Sequence, residues 1–199
     1  MAFPPEHAFL AEYADRANVG GLFSVKKSVK CSEQPTSDSS CAWIGDRVRL
    51  EPLELHFGAG TASAYHAPAG FYEALRTYTG SDDVRAYFIL KASPVALDAS
   101  VPGTVCGLTK DETFVWEDDS NPLVVSPNGR VAVFSGCIAS QARSIGDAGV
   151  DDEGRTLRDL VEGNEWCTLP VSVVEGDLEA SAARVPTRGG LDPTGTLCR

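Results

Sequence analysis

The sequence predicts a mainly β fold: an antiparallel β-sandwich or jelly-roll-like domain with short helices inserted between its strands, or alternatively an α+β arrangement. Three observations predict it. Short segments of alternating apolar and polar residues recur along the chain, and turn-forming residues separate them. The helical patterns between these segments are too short for the crossovers of a doubly wound parallel sheet.

The beginning of the chain predicts a helix, a strand and a polar loop. Residues 5–17 have apolar side chains at helical spacing, and residues 22–31 mix apolar residues with lysines in a strand-like pattern. The loop 32–40 is polar throughout. It lies between Cys31 and Cys41, which could close it at its base.

The clearest alternation lies in residues 43–58, where Pro52 shifts the phase and indicates an edge position or a bulge. Residues 68–79 then predict a helix, and residues 84–92 predict a strongly apolar strand. Two short strands, 105–108 and 113–116, follow a proline-bounded connection.

The best hairpin signal is the tripeptide Pro127-Asn128-Gly129, because Asn-Gly takes the backbone conformation of a tight turn without strain. It predicts antiparallel pairing of Leu123–Ser126 with Arg130–Ser135. Residues 151–162 predict another helix, 166–174 a last strand, and 180–199 an extended tail. The predicted core consists of Leu53, Leu55, Phe57, Tyr87, Ile89, Val131, Val133 and Trp166.

These elements predict three parts. They are an N-terminal helical arm with a polar loop (1–42), a β-rich core domain (43–178) and an extended C-terminal tail (179–199). Residues 1–20 contain acids and no apolar run, so they do not resemble a secretory signal. Three interpretations stay open: a cytosolic protein, a chain whose export signal was removed, or a protein that leaves the cell without one.

The composition argues against two classes of partner. The net charge is −11, and a negative surface repels nucleic-acid phosphates and anionic membranes. The densest basic patch is Lys26, Lys27 and Lys30, which is more often a solvated strand face than a binding site. No segment is long and apolar enough for a transmembrane helix.

Six cysteines are spread along the chain, at positions 31, 41, 106, 137, 167 and 198. Structural zinc sites need ligand pairs two to four residues apart, and no Cys-x-x-Cys pair occurs. The spacing therefore leaves disulfides, buried thiols or a lone nucleophile.

Candidate chemistry is sparse. His56 shares a predicted strand face with Glu54, which could orient its imidazole, and His66 precedes a predicted helix. A cysteine enzyme would use Cys137, after a glycine at a strand end, as nucleophile and His56 or His66 as base. A metal site could combine the two histidines with an acid, but no His-x-His or His-x-x-x-His pair exists. We therefore assign no catalytic, cofactor-binding or metal-binding residue, and we expect no cofactor.

These observations predict a non-catalytic structural or assembly protein. The most specific form of this expectation is an outer, decorating or joining subunit of a viral or phage particle. The localisation is not fixed by the sequence, and the virion or the outside of the cell is favoured over the cytoplasm. The arm and tail would bind neighbouring subunits in a homo- or hetero-oligomer. The alternatives are an exported disulfide-bonded binding domain and, after it, a cysteine-dependent enzyme.

Overall fold

The computed structural model describes residues 18–27, 47–58, 62–93, 112–120, 122–126 and 128–182. The strands are β1 Val19–Lys27, β2 Arg47–Phe57, β3 Ala64–Pro68, β4 Val84–Ser93, β5 Glu112–Ser120, β6 Leu123–Val125, β7 Arg130–Val133 and β8 Thr168–Pro170. The α-helices are α1 Tyr72–Thr79, α2 Ala139–Ile145, α3 Leu157–Glu162 and α4 Val171–Ala182. A π-helical turn, Phe134–Ile138, precedes α2, and 3-10 turns occupy Gly146–Ala148 and Glu165–Cys167.

The strands form one sheet in the order β1-β2-β3-β5-β4-β6-β7-β8, and β1 also pairs with β4. This additional pairing closes β1, β2, β3, β5 and β4 into a five-stranded barrel. The described pairings are antiparallel except for that of β3 with β5. The prediction of a mainly β, antiparallel fold with short inserted helices is confirmed. A five-stranded barrel is also the architecture of the oligonucleotide/oligosaccharide-binding (OB) fold.

Strand β4 belongs both to the barrel and to the rest of the sheet. One of its edges pairs with β1 over residues 84–90. Its opposite edge pairs with β6 at Ala86 and Tyr87, and with β5 between Leu90 and Ser93. A register shift between Leu90 and Ala92 lies within the stretch that pairs with β5.

Two glycines allow β1 to approach β2 closely where their pairing is irregular. A Cβ on Gly21 would lie 2.1 Å from the Glu54 carbonyl oxygen, and a Cβ on Gly20 would lie 2.3 Å from the ring of Phe57. Neither position has room for a side chain. The two glycines therefore allow β1 and β2 to approach closely enough to close the barrel.

The barrel interior is one hydrophobic core. Phe23 is fully buried in it and makes edge-to-face contacts with Tyr65 and Phe88, at ring-centroid distances of 5.7 Å and 5.8 Å. Helix α1 packs against this core through Leu75 and Tyr78, both fully buried. The other buried barrel residues are Val19, Val25, Val48, Leu50, Ala67, Val84, Ala86 and Leu90.

A second hydrophobic cluster lies on the opposite face of the sheet, beneath α4. It contains Phe57, Tyr87, Ile89, Leu123, Val131, Val133, Val174 and Leu178. Five of the eight predicted core residues are therefore buried, but in this layer and not in the barrel. Leu55 is partly buried against the barrel core.

The predicted hairpin is confirmed, but its second strand is shorter than predicted: it ends at Val133, and Phe134 and Ser135 belong to the π-helical turn. β6 and β7 pair antiparallel, with Val124 opposite Ala132. The Asn128 Oδ1 atom accepts a hydrogen bond from the Arg130 N–H at 3.1 Å, and Gly129 has a φ of +78°. The turn residues thus set the register as the sequence indicated.

Three expectations are wrong. Leu53 is 51% exposed, because β2 has a register irregularity that turns it out of the barrel. Trp166 is 65% exposed, because it lies on a 3-10 turn and not on a strand. The predicted strand 166–174 is only three residues long, Thr168–Pro170, and Val171 begins α4.

Several other predictions fall outside the described residues. These are the helix 5–17, the loop 32–40 with Cys31 and Cys41, the strand 105–108, and most of the tail 180–199.

Candidate functional site

The outer face of the barrel carries a line of charged and polar side chains. On β2, Val48 and Leu50 point into the core, so Arg49 and Glu51 point outward. Arg49 is paired in register with Lys26 on β1 and with His66 on β3. The alternation of each strand thus brings chemistry-bearing side chains from neighbouring strands to one surface.

Four of these side chains, Lys26, Arg49, Glu51 and Glu112, form ion pairs across β1, β2 and β5, and His66 on β3 lies beside them. We call these five residues the outer network. Arg49 lies at its centre: its Nη1 is 2.5 Å from Glu112 Oε1, and its Nε is 3.1 Å from Glu51 Oε1. On one side Lys26 pairs with Glu51. On the other side His66 Nε2 lies 3.4 Å from Glu112 Oε2.

The outer network changes from exposed to buried along its length. The side chain of Lys26 is 57% exposed, and that of Glu112 is 1% exposed. The hydrogen bond from Lys26 lowers the pKa of the Glu51 carboxyl, so this end stays ionised at neutral pH. At the buried end, removing Arg49 would leave the Glu112 carboxylate with less compensation, a change that typically costs about 3–5 kcal/mol.

The outer network lies where two long connections reach the barrel. Residues 28–46 lead into β2 at Arg47, two residues before Arg49, and residues 94–111 lead into β5 at Glu112 itself. Because one fold carries many functions, the kind of ligand has to be argued from the side chains of this face.

The predicted basic patch is divided in the structure. Lys26 belongs to the outer network, whereas Lys27 points the other way and its Nζ lies 3.2 Å from Glu73 Oε1 on α1. Lys30 lies outside the described residues. Neighbouring strand residues point to opposite faces, so Lys26 and Lys27 do not form one positive surface.

The pairing of His56 with Glu54, which the sequence allowed, does not form. The Nε2 atom of His56 is buried and makes no hydrogen bond within the described part of the chain. A second register irregularity in β2, next to Gly20 and Gly21, breaks the strict alternation on which that pairing depended. His56 and His66 therefore lie in different environments: only His66 lies beside a carboxylate of the outer network.

The cysteine-nucleophile hypothesis is wrong for Cys137. Its sulfur forms a disulfide with Cys167, and both residues are buried. A disulfide sulfur carries no thiolate, so Cys137 cannot attack a substrate in this state. Within the described ranges, no three side chains of His, Cys, Asp or Glu are grouped as metal ligands.

Sequence reasoning found His66 but missed its partners. The alternation around Val48 and Leu50 was sufficient to place Arg49 on the outer face. Glu112 could not have been found, because it reaches His66 only through the parallel pairing of β3 with β5.

Comparisons of this chain with family models, with curated proteins and with solved structures gave no match. None of the described helices has the length and apolarity needed to cross a membrane.

Proposed function

We propose that this chain is a non-catalytic structural or assembly protein that binds a protein partner through the outer face of its barrel. The observation that carries the proposal is the outer network. Its two basic residues, Lys26 and Arg49, are balanced by two carboxylates, Glu51 and Glu112. A surface of mutually paired charges suits the mixed charges of another protein surface.

The charge distribution favours a protein partner over a nucleic acid. OB-type barrels that bind single strands use a positive groove with exposed aromatic side chains. Here both cations of the network are neutralised, and the whole chain carries a net charge of −11. Binding to nucleic acid gains free energy when protein cations neutralise phosphates and release counterions. Since Lys26 and Arg49 are already paired with carboxylates, this gain would be small.

The specific form we propose is an outer, decorating or joining subunit of a viral or phage particle, in the virion or outside the cell. In this proposal, residues 1–17 and 183–199 act as an arm and a tail that contact neighbouring copies. A non-basic subunit fits an outer position better than one that packages the genome.

Two adjacent lysines provide a matched test. Lys26→Glu reverses a charge in the outer network, and Lys27→Glu reverses the same charge on the opposite face of the same strand. Sedimentation of the full chain over a range of concentrations should show self-association that Lys26→Glu weakens and Lys27→Glu leaves unchanged. Equal effects of both variants would count against the outer face.

Truncation tests the arm and tail separately. Removal of residues 1–17 or 184–199 spares β1 and α4, so the barrel should stay folded while association weakens. A full-length chain that is monomeric at every concentration would overturn homo-oligomeric assembly. Binding of a single-stranded DNA oligonucleotide would replace the proposal with nucleic-acid recognition.

An exported disulfide-bonded binding domain is the second candidate, and the Cys137–Cys167 bond favours it. Thiol titration of the unfolded, unreduced protein distinguishes the candidates in part. A chain without any free thiol supports the exported domain, and a single fast-reacting thiol would support a cysteine enzyme instead.

A further inference from the structure

The indole of Trp166 is exposed although the sequence placed it in the core. Its exposed fraction is 65%, the highest among the large hydrophobic side chains that are exposed in the described residues. Tryptophan has the largest apolar surface of any side chain, and it is the residue type most enriched at binding hot spots. The fold therefore leaves unused a side chain suited to binding.

The backbone beneath Trp166 is held firmly. The Asn164 Oδ1 atom accepts a hydrogen bond from the Trp166 N–H at 3.2 Å, and the Asn164 carbonyl accepts one from the Cys167 N–H at 2.9 Å. Cys167 is fully buried and disulfide-bonded to Cys137. A partner would thus meet an indole whose backbone is already ordered, which reduces the entropy lost on binding.

The chain around Trp166 is strongly acidic. Between residues 147 and 166 it has seven acids, Asp147, Asp151, Asp152, Glu153, Asp159, Glu162 and Glu165, and two bases, Arg155 and Arg158, a net charge of −5 (2 − 7). Six of the seven acids are exposed, and Asp151 is half-buried.

Both arginines already make ion pairs or hydrogen bonds within the fold. Arg155 pairs with Asp151 at 2.8 Å and with Glu153 at 2.6 Å. Arg158 donates to the carbonyl oxygens of Tyr78 and Thr79 at the end of α1. Glu165, next to Trp166 in sequence, has no arginine or lysine partner within the described part of the chain. Glu162, by contrast, accepts a hydrogen bond from the Tyr78 hydroxyl at 3.4 Å.

We infer that Trp166, together with Glu165 before it on the same 3-10 turn, is a docking surface for an arginine-rich segment of a protein partner. A guanidinium stacks on an indole face by cation–π attraction, and its N–H groups pair with carboxylates. The negative field of this region would accelerate the encounter with a basic segment and repel phosphates. The inference does not depend on the outer network and extends beyond the proposed function.

The test uses the full chain and a short peptide of alternating arginine and glycine, with the matching glutamate–glycine peptide as control. Fluorescence anisotropy of the labelled peptide at low salt should show binding to the wild type, and none of the acidic control. Trp166→Ala should weaken binding about tenfold or more, the effect of losing a hot-spot tryptophan. Trp166→Phe should retain part of the affinity, since a smaller aromatic face remains.

Two further variants separate the indole from the general charge. Glu165→Gln should weaken binding and reduce its dependence on salt, because one ion pair is lost. Leu53→Ala, which truncates another exposed apolar side chain, should leave binding unchanged. The unfolding midpoint of every variant should equal that of the wild type, because all three positions, Leu53, Glu165 and Trp166, are exposed.

The inference fails if the peptide does not bind the wild type, or if Trp166→Ala binds it as tightly as the wild type does. Acrylamide quenching gives an independent readout. The fluorescence that disappears in Trp166→Phe should become protected when the peptide is added, and an unprotected signal would also overturn the proposal.

Discussion

Replacing both cysteines of the Cys137–Cys167 disulfide with alanine should destabilise the protein by about 4–5 kcal/mol. The bond closes a loop with a sequence separation of 30 residues. The chain-entropy relation assigns about 3.6 kcal/mol to a crosslink over a loop of this length. Both residues are buried, so losing their packing adds on the order of 1 kcal/mol.

Guanidinium melts of the wild type and of Cys137→Ala/Cys167→Ala measure this loss. The slope of unfolding free energy against denaturant should also increase, because the uncrosslinked unfolded chain exposes more surface. Val161→Ala is the control: it removes buried volume beside the same core without touching the crosslink, so it should lower stability with an unchanged slope. A loss below 1 kcal/mol for the double variant would refute the reasoning.

Three further predictions concern the barrel and its helix. Gly21→Ala should lower the free energy of unfolding, measured in urea, by several kcal/mol, because its Cβ would lie 2.1 Å from a backbone carbonyl oxygen of β2. The control is Gly70→Ala, which has open space around it and should be neutral or slightly stabilising. Leu53→Ser should change stability by less than about 0.5 kcal/mol, and Leu50→Ala should cost about 2–5 kcal/mol, because only Leu50 is buried. Burial raises the pKa of Tyr78 to about 12. The unfolded state therefore loses this proton first, and stability should fall as the pH rises from about 10 through about 12, less steeply in Tyr78→Phe. Phenolate absorbance and alkaline unfolding curves check this.

The sequence was most informative where local chemistry decides the structure. The hairpin turn at Asn128 and Gly129 needs only its own residues, and its prediction is confirmed. The strand segments of β2 and β4 were found for the same reason. Leu53 was misplaced because the bulge in β2 depends on how β1 crosses it, which a single strand's alternation does not reveal.

The candidate site was predictable only in part for a similar reason. His66 was singled out as a residue type, but the barrel places it beside Glu112, which is distant in sequence. The sequence predicts Trp166 in the core because it begins the predicted strand 166–174. Its short 3-10 turn, stabilised by Asn164, presents no periodic pattern from which exposure could have been read.

The double membership of β4 has a consequence for how the protein unfolds. One edge of β4 pairs with β1, and the other pairs with both β5 and β6. The barrel and the rest of the sheet therefore share this strand, and neither can lose it without opening the other. We therefore expect the amide protons of residues 84–90 to exchange only through global opening, at the same free energy whether their partners lie in the barrel or in β6. The barrel and the layer beneath α4 would then melt as one cooperative unit, with a single transition in calorimetry.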